Sequence, residues 1–193
     1  MAGKKAFVPE RALDKAMVLF WKQGYEATSI TDLTECMGIR RGSLYDTFGD
    51  KRSLYLDALK RYIAIGQTRT NTLLAQDGTL QEVLEYFFQD YIDLLLSDPA
   101  SRGCFLVNAS LEMAPHNSEV NKIVSSAFQE IEEAFYVRLT EVSSADDLPS
   151  TQDARQLAHF LSATLVSIRV FARTKRDRRV LQDTVKTALS VFD

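Results

Sequence analysis

The residues best equipped to do chemistry stand together between Gly38 and Lys51, in the stretch GIRRGSLYDTFGDK. Arg40, Arg41, Ser43 and Tyr45 bring guanidinium and hydroxyl donors, Gly42 lets a backbone come close, and Lys51 adds a further cation. Such donors suit phosphate oxygens and base edges, and an arginine can grip guanine through two parallel bonds. The stretch therefore reads either as the tip of something that binds a polyanion or as an ordinary solvated helix start. Asp46 can accept from cytosine or remain a surface carboxylate.

Catalytic chemistry has fewer candidates. The chain has only two histidines, no glycine-rich phosphate loop, no cluster with metal-ligand spacing and no nucleophile with a partner base. Neither a metal nor a cofactor is expected. Cys104 follows Arg102-Gly103 at the start of an apolar segment, where a helix dipole and a cation favour thiolate chemistry; a buried, inert cysteine is the alternative. Asn108, Glu112 and His116 recur at intervals of four, which puts them on one helix face. With Pro115 disturbing the last turn, they suit the polar edge of an apolar pocket better than a metal site.

The elements that must position these groups are helical. PERALDKAMVLFWKQG opens with Pro9 and Glu10, which suit a first helical turn, and stops at Gly24. TSITDLTECMG follows, with Ser29 and Asp32 as a capping-box variant and Gly38 as a left-handed stop. RRGSLYDTF makes a third helix with Leu44 and Phe48 inward, and Asp50 caps a long fourth. The short helices around the Gly38 turn have a helix-turn-helix arrangement, with Leu33, Met37, Ile39, Leu44 and Phe48 as its lock. Five further segments are amphipathic or apolar: LQEVLEYFFQDYIDLLLSDP, SRGCFLVNASLEMAP, SEVNKIVSSAFQEIEEAFYVRLTEV (with Ser118 as its cap), QDARQLAHFLSATLVSIRVFAR and RRVLQDTVKTALSVF. The polar run SADDLPST is expected to be a surface loop. The fold class is all-α, about nine helices.

Composition agrees. Eight glycines and four prolines in 193 residues fit long helices better than many strands, and 46% hydrophobic residues allow a generous core. Two cysteines and the lack of an apolar run of about 20 residues point to a reducing cytoplasm and no membrane. Net charge is −3, yet residues 1–62 hold eleven Lys/Arg against eight Asp/Glu, and the remainder holds twelve against eighteen. A basic head on an acidic body suits a small nucleic-acid-reading module joined to a different unit.

Residues 7–60 resemble the DNA-binding domain of TetR-family transcriptional regulators. The likeness is carried by Gly24-Tyr25, Thr28-Ser29, Leu33, Gly38, Gly42-Ser43-Leu44-Tyr45, Phe48 and Lys51 in the family's spacing. It implies a helix-turn-helix head (1–50), a linking fourth helix (51–74) and a helical body (75–193) for ligand binding and dimerisation. It also implies a homodimeric repressor, released from a palindromic double-stranded operator by a small apolar, aromatic or electrophilic effector. By the same resemblance Thr28 and Ser29 bring donors to a phosphate, Tyr45 and Lys51 hold the DNA backbone, and Arg41 and Ser43 meet bases. Arg40 stands where the family often has serine. The helix there loses a cap worth about 1 kcal/mol, and Arg40 either contacts DNA or lies along the helix.

The body's aromatics most simply make a core, but bulky bundles also enclose cavities. The expected pocket draws on Tyr86, Tyr91, Cys104, Phe105, Asn108, Glu112, Phe128 and Phe135. Leu157, Leu161, Leu165 and Ile168, with Leu181, Val185 and Leu189, could line the monomer's own core; the resemblance favours a self-complementary four-helix dimer interface. The basic turn around Arg173, Lys175, Arg176, Arg178 and Arg179 reads as a solvated loop. The rival functions are a helical protein-binding adaptor with an inactive head and, behind it, an enzyme on a bundle.

Overall fold

The computed structural model describes residues 7–142 and 153–192. The expected polar loop at 144–151 lies outside the described residues. Among those described there are nine α-helices, two short 3-10 turns and no strand.

Helix α1 (Pro9–Gln23) starts on Pro9 and ends at Gly24, whose φ of 87° suits a residue without a side chain. Helix α2 (Ile30–Met37) opens on the expected capping box: Asp32 N–H donates to Ser29 Oγ, and Ser29 N–H donates to the Asp32 carboxylate. It closes at Gly38 with φ 71° and ψ 36°. Helix α3 (Arg41–Phe48) follows after only three residues, Gly38 to Arg40. Its N-cap, Arg40, makes no side-chain capping bond. Helix α4 (Lys51–Leu74) is capped by Asp50, which accepts from Ser53 N–H at 2.7 Å. Leu33, Met37, Leu44, Leu54 and Leu59 are buried together with Phe20 of α1. Each contributes about 1.5–3 kcal/mol of burial, and this lock leaves the outer face of α3 free.

The body comprises α5 (Leu80–Ser97), α6 (Phe105–Glu112), α7 (Ser118–Val142), α8 (Ala154–Thr174) and α9 (Arg178–Leu189). Helix α7 packs between α4 and α8, while α9 lies on α5 and α8. Helix α6 is shorter than the sequence suggests. It ends at Glu112, and Pro115 falls in a 3-10 turn (Ala114–His116), so His116 leaves the face shared by Asn108 and Glu112. Asn117, not Ser118, caps α7: its Oδ1 accepts from the N–H groups of Glu119 and Val120.

One expectation is corrected here. Leu157, Leu161, Leu165, Ile168, Leu181, Val185 and Leu189 are buried inside the single chain, so these stripes make core and not a free interface. The outward face of α8 carries Phe160, Ala163, Ser167, Val170 and Thr174, and Val180, Thr184, Thr187 and Val191 run beside the buried stripe of α9, all but Thr187 half-buried. Both stripes recur at alternating intervals of three and four, and Phe160 and Val170 are 44% and 43% exposed. The basic turn is solvent-exposed, as expected, but it also makes specific contacts. Arg176, with φ 49°, donates to Leu96 O and Asp98 O at the end of α5 and to Ser101 Oγ. Arg178 pairs with Asp93 at 2.6 Å. The turn clamps α8 and α9 onto the carbonyl end of α5, where cations are favoured.

Candidate functional site

The first site is the outer face of α3. Leu44 points inward and is fully buried, Ile39 and Phe48 pack partly buried against the same core, and this turns Arg40, Arg41 and Tyr45 outward. Arg41 Nη2 lies 3.4 Å from Tyr45 Oη, and its guanidinium is 5.7 Å from the Tyr45 ring centre. Gly42 is exposed, and a Cβ built there would meet no atom within 4 Å, so a backbone could approach closely. Ser43 is half-buried beside it. Lys51 holds its ammonium 4.3 Å from the centre of the Tyr25 ring. Ser29 is exposed, but its hydroxyl is occupied by Asp32. Thr28 departs from expectation: it is fully buried, and its hydroxyl donates to Gly24 O at 2.6 Å. The Thr28 hydroxyl ties the α1–α2 turn together and is not free for a phosphate.

The second site is a cavity of about 460 Å³ bordered by α1, α4, α5, α6, α7 and α8 and by the segment leading into α6. Apolar walls come from Ile63, Leu94, Leu95, Leu106 and Ile131, and polar groups from Tyr62, Thr70, Tyr91, Cys104 and Arg169. The Thr70 and Tyr91 hydroxyls share a 2.8 Å hydrogen bond, and Tyr62 Oη donates to Cys104 Sγ at 3.5 Å. Burial pushes the Tyr62 phenol well above its ordinary value, so it stays a donor. Of the eight expected pocket residues, only Tyr91 and Cys104 line this cavity.

The other six serve elsewhere. Phe105 and Phe135 are fully buried in the core, Tyr86 is half-exposed against α9, and Phe128 borders a shallow groove between α7 and α8. Asn108 accepts from Arg173 at 2.6 Å and donates to Arg102 O at 3.2 Å. Glu112 reaches across to the head, where its carboxylate accepts the Tyr25 and Glu26 N–H groups at 3.1 and 3.0 Å. Polar residues at these positions were legible; that they join elements instead of lining a cavity was not.

The cavity touches the head directly. Met17 and Trp21 of α1 form part of its wall. Trp21 Nε1 donates to Gly103 O at 3.1 Å, and Arg102 lies 4.2 Å from the Trp21 ring centre. From there aromatic rings run edge to face: Trp21 to Tyr62 at 5.0 Å, Tyr62 to Phe105 at 5.6 Å, Phe105 to Tyr55 at 5.5 Å, and Tyr55 to Tyr25 at 5.1 Å. The sequence reading missed Trp21, Tyr62, Thr70 and Arg169. A signal existed for Arg169 alone: it sits four residues after Leu165, on the apolar stripe of its own helix.

No cluster of His, Cys, Asp and Glu able to hold a metal occurs among the described residues, and none of the helices searched is long and apolar enough to span a membrane. Against known proteins, residues 12–58 match the bacterial regulatory proteins of the tetR family, and residues 81–188 match the tetracyclin repressor-like C-terminal domain. An uncharacterised HTH-type transcriptional regulator of Bacillus subtilis, YezE, is 32% identical over the whole of both chains. The HTH-type transcriptional repressor ComR of Escherichia coli is 28% identical over 97% of this chain and 90% of its own. Among solved structures, a cysteine mutant of the TetR family regulator CifR complexed with operator DNA superposes with a TM-score of 0.88. It is 30% identical, covering 98% of this chain and 100% of that one.

Proposed function

The chain belongs to the TetR family of bacterial regulatory proteins, and from that premise we propose that it represses transcription from a palindromic operator until an effector enters the cavity. The family is one of transcriptional regulators, not of enzymes. The observation that carries the proposal is the outward face of α3: Arg41, Gly42, Ser43 and Tyr45 are held away from the core by the buried Leu44 with Ile39 and Phe48. CifR, whose fold this chain shares at 30% identity, is seen on operator DNA, and ComR is a repressor; both support the reading.

In this mechanism α3 enters the major groove, Tyr45 and Lys51 hold phosphates, and Arg41 and Ser43 meet base edges. The N–H groups around Ser29 add a helix-start contact. Arg40, exposed and free of any capping duty, adds a cation to the same face. The head is residues 1–50, and residues 75–193 bind the effector and dimerise. The dimer forms through the outer stripe of Phe160, Ala163, Val170 and Thr174 with Val180, Thr184 and Thr187. Two recognition helices then stand about 34–36 Å apart, one turn of DNA.

Effector binding acts at the shared wall. A molecule in the cavity presses on Met17 and Trp21, which belong to the head, and on the Trp21–Gly103 bond that fixes α1 to the body. Moving α1 changes the spacing of the two heads, a coupling of typically about 1–3 kcal/mol.

Selection of bound sequences from random DNA tests the proposal. A palindromic site should emerge, and Arg41→Ala should lose about 1–3 kcal/mol of discrimination at one position of each half-site. Tyr45→Phe should weaken binding to specific and random DNA alike. Equal losses on both DNAs for Arg41→Ala would remove its base-reading role, and the absence of any selected site would remove the regulator reading.

A further inference from the structure

Three arginines border the cavity, and they are not equivalent. Arg69 donates through Nε to Asp90 at 2.8 Å. Arg102 donates from Nε and Nη2 to the two oxygens of Asp98, each at 3.1 Å. Arg169 has no such partner. It is only 7% exposed, on the inner face of α8 among Leu165, Ile168 and Ala172. Its guanidinium lies 5.1 Å from the centre of the Tyr91 ring. The ionisable side chains that act on it are those of Cys104, Tyr91 and Tyr62, a thiol and two phenols. No carboxylate among the described residues pairs with it.

Burying a guanidinium is costly unless an anion answers it. Packing does not ask for a cation here, because leucine or methionine would extend the apolar stripe without that cost. The charge is also kept through burial: the Arg169 guanidinium is held above its ordinary value despite its desolvation, supported by Cys104 and the two phenols. A cavity with apolar walls and one planar fork of donors that meets the Tyr91 hydroxyl but no carboxylate matches an amphipathic anion.

We propose that Arg169 is the anchor for the effector's anionic head, and that the effector is a small apolar molecule bearing one carboxylate. The carboxylate pairs with the Arg169 fork, and the Tyr62 hydroxyl gives up its long bond to Cys104 and turns to donate to the carboxylate instead. The apolar part lies along Ile63, Leu94, Leu95, Leu106 and Ile131 and reaches Trp21 of the head. The inference rests on reading this cavity as the effector site, but its test needs no DNA.

Isothermal titration of the full-length protein with decanoate and 4-phenylbutanoate, each beside its primary amide, tests the inference directly. At least one acid is expected to bind about tenfold or more tightly than its amide, and Arg169→Met should abolish that preference. Decyl phosphate serves as a third arm. Equal binding of acid and amide, no binding of either acid, an acid preference that survives Arg169→Met, or a clear preference for the phosphate would each overturn the assignment. Circular dichroism reports whether Arg169→Met folds. If it does not, the acid-against-amide comparison on the wild-type protein decides alone. A protein that binds the acids but selects no operator would leave the anchor standing and remove the repressor reading.

Discussion

At the residue scale, the informative groups are those whose polarity conflicts with their surroundings. Tyr55 is fully buried at the centre of the aromatic cluster, and its hydroxyl has no hydrogen-bond partner among the described residues. Burial pushes its phenol far above the ordinary value, so it stays protonated. An unsatisfied buried hydroxyl costs about 1–3 kcal/mol. Tyr55→Phe should therefore leave stability unchanged or raise it by about 1 kcal/mol, measured by urea unfolding; a loss of stability would show that the hydroxyl is satisfied in solution. Thr28 is the opposite case. Its buried hydroxyl is spent on Gly24 O, although its place in the family pattern reads as a DNA contact.

At the element scale, helix ends and the joints between helices decide what can move. Gly24 closes α1 at positive φ, and a Cβ there would stand 2.7 Å from Glu112 Oε2, the group that binds the next two N–H groups. Gly24→Ala should cost at least about 1 kcal/mol from backbone strain and loosen the head from α6. Hydrogen exchange should then rise first in residues 24–29. If exchange there matched the wild type, Glu112 would not be the joint.

The helix caps make a pH prediction. Asp32 is held below its ordinary value by the Ser29 side chain and N–H, Asp50 by the Ser53 N–H and hydroxyl, and Glu82 by the Thr79 N–H and hydroxyl. Folded values below unfolded ones mean stability that is fully present above the unfolded carboxyl values of about 3.9 and 4.3. That stability is lost as pH falls through the lower folded values. Melting temperature should stay flat from pH 7 to about 5 and drop below it. The double variant Asp32→Asn, Glu82→Gln should show a shallower acid fall; an unchanged fall would assign it to other groups.

At the scale of the whole molecule, the two faces of α8 divide the labour. The inner stripe holds the chain together, so Leu165→Ala should cost about 2–5 kcal/mol in denaturant unfolding. The outer stripe is proposed to hold two chains together. Val170→Glu should fold as well as the wild type yet elute as a monomer in light-scattering chromatography, and it should lose operator affinity because one head cannot span two half-sites. A folded Val170→Glu dimer would place the interface elsewhere. The cavity also has meaning only at this scale, since its walls come from six helices and the segment that leads into α6.

Local chemistry was legible in the sequence. The capping box at Ser29, the left-handed Gly38, the Asp50 cap, the uncapped Arg40 and the outward Arg41–Tyr45 face all follow from neighbours within four residues, where spacing dictates contact. The helix count followed too, because apolar periodicity is a local signal. What the tertiary structure decided were the partners of groups far apart in the chain. Periodicity marks a buried stripe on α8 but not whether its own chain or a second copy buries it. It marks Glu112 and Asn108 as sharing a face but not that this face meets α1. Cavity walls depend on gaps between packed helices, which no spacing along one helix encodes. The stretch of sequence proposed to read DNA could be found by its own pattern. The arginine assigned to the effector depends on the packing of α8, which turns a cation inward with no carboxylate among the described residues to answer it.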